Sequence, residues 1–227
     1  MTRLVVVTGG AKGIGKAVAD RFAAAGDKVE AVGRDALDVT DEEVVSEFFG
    51  HVGPVDVLVN NAGMAEGAPL ARTSLESWRQ HFEVNATGAF LCTRAVLAGM
   101  LERGEGRIIT VASTAGLRGA RYTAAYTAAK HAAVGLMRAT AAEVAGTGVT
   151  ANAVCPGWVR TAMMERAVER ITATTDRDEE QAEAALVAQM PLGRALEPAE
   201  VAEAVWFLAS PQAAAINGQA LVLDGGG

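Results

Sequence analysis

The stretch LVVVTGGAKGIGKAVADRF, residues 4–22, constrains the fold more than any other part of the chain. Four apolar residues at 4–7 read as a buried strand, and Ile14, Val18 and Phe22 share one face of a helix that starts near Gly13. Between them, Gly9, Gly13 and Gly15 accept positive φ and let a ligand approach the backbone. A helix opening straight from such a turn aims free N–H groups and its positive dipole end at a phosphate. The same turn also serves close packing alone, so by itself it names no ligand.

The alternation continues along the chain. Further strands read at 28–32, 55–59, 108–111, 149–154 and 219–223, with helical patterns at 41–49, 77–100, 124–144 and 198–209. Thr40 is the expected N-cap of the helix at 41–49. Residues 162–190 lack glycine and read as two amphipathic helices joined near Thr174 and Thr175. The acidic run from Asp176 fits a solvated helix start and lacks calcium-loop spacing. Without repeats or linkers, residues 1–227 form one α/β domain, a parallel sheet covered on both faces. One connection is too short: a parallel crossover takes about a dozen residues, yet only 33–37 separate the second strand from the next extended piece. The usual helix and a properly paired third strand are therefore expected to be reduced or absent.

A net charge of -7 without a basic run argues against nucleic acid or an anionic membrane as partner. Cys92 and Cys155 fall outside metal and redox spacings and read as small core residues of a reducing compartment. The residues before 4–7 are too few for a signal segment, and no apolar run approaches a membrane span. A cytoplasmic location is expected.

Ser113, Tyr126 and Lys130 have spacings suited to proton transfer. Tyr126 and Lys130 share a helix face one turn apart, and Ser113 follows the strand at 108–111, at the carboxyl end where open α/β sheets bind ligands. A small-residue turn before an ordinary helix fits this stretch equally well. NNAG at 60–63 suits a tight turn, and Asn85, amid Phe82, Val84, Phe90 and Leu91, reads first as a satisfied core amide. His51, His81 and His131 lack ligand or triad spacing, so no metal site and no chemistry is assigned to them.

Together these signatures resemble the short-chain dehydrogenase/reductase family over essentially the whole chain. TGGAKGIG is similar to its glycine motif, NNAG to its second turn, Asn85, Ser113, Tyr126 and Lys130 to its catalytic tetrad, and Pro156 and Gly157 to its nicotinamide motif. The resemblance implies a doubly wound Rossmann-type sheet, typically of seven strands, and the short segment predicts six good ones here. Four or five extended residues span only about 13 to 18 Å, so the adenine pocket at Asp38 and Val39 is expected to be rebuilt or more open. Implied cofactor contacts come from Thr8, Gly9, Lys12, Gly13, Ile14 and Gly15, from Gly33 and Arg34, and from Asn61, Ala62 and Gly63. Tyr126, Lys130, Pro156, Gly157, Val159 and Thr161 complete the set. By resemblance Tyr126 is the proton donor in ketone reduction or the base in alcohol oxidation. Lys130 favours its phenolate and grips the ribose, Ser113 steadies the substrate oxygen, and Asn85 orders a water that links Lys130 to solvent.

Gly33 followed by Arg34, with Lys12 nearby, favours NADP(H); NAD(H) is the alternative, since Asp35 is close. Residues 162–190 are the implied substrate lid. CPGWVRT and MPLGR resemble bacterial polyketide ketoreductases, acetoacetyl-CoA reductases and 3-hydroxybutyrate dehydrogenases. A 3-oxoacyl thioester or small β-keto compound is expected, contacted by Ser113, Tyr126, Trp158, Met163 and Met164. Thr147 stands where carrier-protein reductases often present arginine, which favours acyl-CoA. Leu117, Arg118 and Arg121 are left between an anionic substrate tail and solvent. The helices at 77–100 and 124–144 resemble the pair that builds the family's tetramer, so a homotetramer is expected. Two rival readings stand beside this one: an NAD-dependent dehydrogenase oxidising a small secondary alcohol such as a 3-hydroxy acid, and a non-catalytic dinucleotide-binding sensor or scaffold.

Overall fold

A computed structural model describes residues 2–188 and 190–226. Its six parallel strands are β1 (Leu4–Thr8), β2 (Lys28–Val32), β3 (Val57–Asn60), β4 (Gly106–Val111), β5 (Val149–Pro156) and β6 (Ala220–Leu223), in the order β2-β1-β3-β4-β5-β6. Alternation along β1 explains the layers. Leu4 and Val6 enter one core with α2 (Glu42–Val52), α4 (Gly88–Arg103) and α5 (Ala124–Glu143), while Val5 and Val7 enter another with α1 (Gly13–Ala24) and α8 (Pro198–Leu208). Strands covered on both faces must be largely apolar, as β1 and β3 are up to Thr8 and Asn60 at their carboxyl ends. Phe22 on α1 is fully buried, a burial that contributes about 2 to 3 kcal/mol.

Among the described residues, no helix or strand forms between β2 and α2, and β2 is the outermost strand. The short connection sends Leu37 and Val39 into the core beside α4. It also moves the cap expected at Thr40. Asp41 caps α2, accepting the N–H groups of Glu43 and Val44 at 2.9 and 3.2 Å, because the Thr40 hydroxyl is committed to Asp38 at 2.7 Å.

The helix expected over 77–100 is interrupted by a wider turn. α3 (Leu75–Phe82) leads into a π turn at Glu83–Thr87 and then into α4. Asn85 Nδ2 donates to His81 O, one turn back, at 3.0 Å. A side chain that competes for an i−4 carbonyl loosens the α-helical ladder there. The run Leu75–Arg103 does reach the length and apolarity of a membrane span, contrary to the sequence expectation, with 44% of its apolar window buried in the protein. Its apolarity follows from α4 packing on the sheet.

Residues 162–190 form α6 (Ala162–Thr174) and α7 (Glu179–Val187), residue 189 lying outside the described part. Asp178 and Gln181 make a capping box at the acidic start of α7. The chain leaves β1 toward β2 on one side and returns to β3 on the other. Their carboxyl ends therefore flank the crevice where such sheets bind ligands.

Candidate active site

Two turns meet in that crevice. Thr8 Oγ1, at the end of β1, accepts the N–H groups of Asn61 and Ala62, each at 3.0 Å, and Asn61 Nδ2 donates to the Thr8 and Gly9 carbonyls at 2.9 and 3.1 Å. Glycine permits this closeness. Gly9 and Gly13 have φ of +63° and +56°, and a Cβ on Gly15 would stand 2.3 Å from Gly9 O. α1 opens behind exposed Lys12 with no side-chain cap and no acid in its first turn. Its N–H groups and dipole end thus face the crevice unopposed. Ile14 packs partly buried beneath, and the Thr161 methyl closes the far side, 3.3 Å from where a Gly13 Cβ would stand.

Ser113, Tyr126 and Lys130 come together at the end of β4 and in the first two turns of α5. Ser113 heads the short 3-10 turn Thr114–Gly116, and its Oγ accepts the Ala115 N–H at 3.1 Å, leaving its own O–H to donate. Tyr126 occupies the first turn of α5. Burial raises its hydroxyl above the ordinary value of 10, and hydrogen bonding with Ser113 pulls it partly back. Lys130 is buried, its ammonium 5.8 Å from the Tyr126 ring centroid and donating to Val111 O at 2.9 Å. Desolvation brings it down to about 8. The expected tilt of Tyr126 toward phenolate is thus outweighed by burial, with the Lys130 ammonium turned to a carbonyl. Cys155, buried in β5, takes a hydrogen bond from the Ser113 N–H, and burial raises its thiol.

Asn85 reaches the same place from the π turn. Its Oδ1 accepts the Met64 N–H at 3.2 Å, and its Nδ2 donates to Met64 O at 3.0 Å. It is a satisfied buried amide, yet it stands at the site. A Cβ on Gly63 would lie 3.0 Å from Asn85 Oδ1 and 3.5 Å from Lys130 Nζ, so a side chain there would press on the Asn85 amide.

A dinucleotide fits these residues: a bare helix start and a glycine cradle at one end, Tyr126 and Lys130 at the other. The adenine side differs from expectation. Asp38 Oδ1 accepts the Thr40 N–H at 3.0 Å, and Oδ2 accepts Arg34 Nε at 3.0 Å, while Val39 is buried against Gly88. The Thr40 hydroxyl, then burial in opposition, then the Thr40 N–H and Arg34 leave the Asp38 carboxyl below its ordinary value. Arg34, highly exposed, pairs with Asp38 because four residues of a tight turn bring them together. An open groove of about 1060 Å³ nearby, lined by Asp38, Asp41, Glu42, Glu43 and Glu47 among others, is acidic and unsuited to phosphate.

Residues 31–227 match the family model described as Enoyl-(Acyl carrier protein) reductase. A putative ketoacyl reductase of Streptomyces coelicolor is 45% identical over 203 residues, covering 87% of this chain and 78% of the relative. The 3-oxoacyl-(acyl-carrier-protein) reductase of Vibrio cholerae is 39% identical, covering 99% and 96% respectively. A crystal structure of an actinorhodin polyketide ketoreductase variant with NADPH superposes with a TM-score of 0.90 at 37% identity, over 99% of this chain and 97% of that one. The chain belongs to the short-chain dehydrogenase/reductase family.

For a short-chain dehydrogenase/reductase, the remaining marked residues divide by placement. Pro156 ends β5, and Gly157 is pressed against Met190, whose Cε would lie 2.8 Å from a Cβ there. Val159 is buried and bridges to Leu196, fixing the chain just before α6 begins after Thr161. Gly33 faces the Ala11 methyl at the crevice edge. Trp158 packs partly buried on the core, Met164 is buried under α6, and Met163 is half-buried. Arg118 donates to buried Asp224 at 3.0 Å, and Arg121 stacks 5.2 Å from the Tyr122 ring centroid. Two neighbours of the site carried no signal that the sequence reading used. His81 lies one turn before Asn85, a spacing that alone could have marked it, and Arg170 of α6 donates to Gly67 O at 2.6 Å.

Proposed function

We propose that this protein uses NADPH to reduce a ketone to an alcohol, its substrate a 3-oxoacyl thioester or small β-keto compound, acyl-CoA being favoured over acyl-carrier protein. The observation that carries this reading is the convergence of Tyr126, Lys130 and the Ser113 hydroxyl at the carboxyl end of β4. The glycine turn, Asn61 to Gly63, Tyr126, Lys130 and Pro156 to Thr161 would hold the cofactor, which when bound supplies hydride to the carbonyl carbon. Tyr126 donates its proton to the carbonyl oxygen as negative charge develops there, and Ser113 donates a hydrogen bond to the same atom. Lys130 steadies the tyrosinate left behind and grips the ribose, while Asn85 orders the water that resupplies protons through it. α6 and α7 form the lid, with Trp158, Met163 and Met164 along its apolar base. The protein works as a homotetramer in the cytoplasm, a compartment consistent with two buried free cysteines.

The Arg34–Asp38 pair and the acidic groove beside it favour NADH, since a 2′-phosphate must compete with Asp38 for the guanidinium and meets further carboxylates nearby. Replacement Tyr126→Phe should lower kcat with acetoacetyl-CoA by about 1000-fold and leave the Kd of NADPH nearly unchanged. Retained turnover would refute the mechanism. NADPH should bind more tightly than NADH to the unaltered protein, and equal or tighter NADH binding would reverse the cofactor assignment.

A further inference from the structure

His81 takes no part in the chemistry above, yet it is fully buried and satisfied at both ring nitrogens. Nδ1 lies 2.7 Å from Ser77 O, which only accepts, and Nε2 lies 3.0 Å from the Glu66 N–H, which only donates. The partners therefore fix a neutral ring with its proton on Nδ1. That ring meets Tyr126 edge-on, with centroids 6.4 Å apart and planes at 72°.

The segment His81 holds is tied to several elements around the site. Asn85 fixes Met64 at both backbone groups, His81 fixes Glu66, Arg170 of α6 donates to Gly67 O, and the Ala68 N–H donates to Tyr122 O at 2.7 Å. Tyr122 itself has φ +64°, a left-handed conformation costly for a tyrosine, two residues before α5 begins. Segment 64–68 thus joins the π turn, the lid helix and the entrance to the helix of Tyr126 and Lys130.

We propose that His81 is a positioning residue for the reduction: its neutral imidazole anchors the Glu66 main chain and buttresses the Tyr126 ring, so that the phenol is aimed at the substrate oxygen. This rests on the function proposed above. The acceptor at Nε2 is the decisive atom, because it is the protein partner that holds the part-buried Glu66 N–H, and with it the 64–68 main chain, in place.

Three variants separate this role from core filling. In His81→Gln the amide oxygen reaches the Nε2 position, in His81→Asn the shorter amide reaches only the Nδ1 position, and His81→Phe keeps the ring without either bond. With NADPH and acetoacetyl-CoA, His81→Gln should stay within about threefold of wild-type kcat. His81→Asn and His81→Phe should lose about 30-fold, with KM for the ketone and Kd for NADPH nearly unchanged. Equal kcat in all three variants, or losses that follow only their melting temperatures, would overturn the assignment. Nitrogen-15 NMR of the unaltered protein at neutral pH provides a test that needs no variant: the Nδ1–H neutral tautomer supports the role, and an Nε2–H or doubly protonated ring refutes it. Tyr126→Phe serves as the control. If it retains turnover, the proposed function fails; if it is inactive while His81→Asn equals wild type, only the role of His81 fails.

Discussion

Lys130 is an ammonium held where water is scarce, and its cost has a definite pH signature. Its value of about 8 in the folded chain lies below the ordinary 10.5, so between these values the unfolded chain carries a proton that the folded one has released. The burial penalty is complete below pH 8 and is relieved as pH rises toward 10.5. Replacement Lys130→Met should therefore stabilise the free protein at pH 7 by roughly 2 kcal/mol, the relieved desolvation less the bond to Val111 O. The gain should shrink toward pH 10. Urea unfolding of both proteins at the two pH values checks it, and a gain that does not change with pH would contradict the account. Tyr126 has the opposite sign: with its value raised, stability falls as pH climbs past 10. Both proteins share that loss, so it cancels in the difference.

At the scale of elements, the glycine turn is the most tightly constrained joint. A methyl group at Gly15 would meet Gly9 O at 2.3 Å and Asn61 Nδ2 at 2.4 Å, and the first of these atoms belongs to the backbone. Gly15→Ala should therefore separate the two turns, cost about 3 kcal/mol in stability and weaken NADPH binding at least about tenfold. Chemical denaturation and cofactor titration measure both, and a near-neutral outcome would show that the turn can shift without loss. This joint was legible in the sequence because strand, glycines and helix periodicity fall in an order few folds use. Ser113, Tyr126 and Lys130 were legible for the same reason: each stands at a computable offset from a strand end or helix turn. The π turn was not, since a five-residue stretch around Asn85 has the same apolar pattern in either helix type. The cap shifted from Thr40 to Asp41 because Asp38 engages the Thr40 hydroxyl, a competition that depends on the geometry of the loop. His81 carried only its one-turn spacing from Asn85; its meaning comes from a loop that folds back onto it.

For the whole molecule, the surface of α4 is where the proposed assembly can be tested. Phe90 and Leu101 are 41% and 40% exposed, large apolar side chains left for solvent or for a second copy. Sedimentation velocity should report a homotetramer, and Phe90→Glu should shift the population to smaller species. A wild-type protein that sediments as a monomer would remove the assembly from the proposal. The six-strand sheet itself was foreseeable from one count, the few residues between the second strand and the next extended piece, but how the gap is filled was not. Leu37 and Val39 turn inward where a strand and helix would have run, and that packing depends on the floor α4 provides.

The outer position of β2 has a consequence for how molecules of this protein meet one another. Among the described residues no strand pairs with the outer edge of β2 to take up its N–H and C=O groups, and such a row is the template along which sheets of separate molecules fuse into aggregates. Here the template is five residues long, and Lys28 and Glu30 share one of its faces with ammonium and carboxylate 3.5 Å apart. A foreign strand would have to strip water from both charges to dock there. The short connection that uncovers the edge thus comes with side chains that keep the edge in solution.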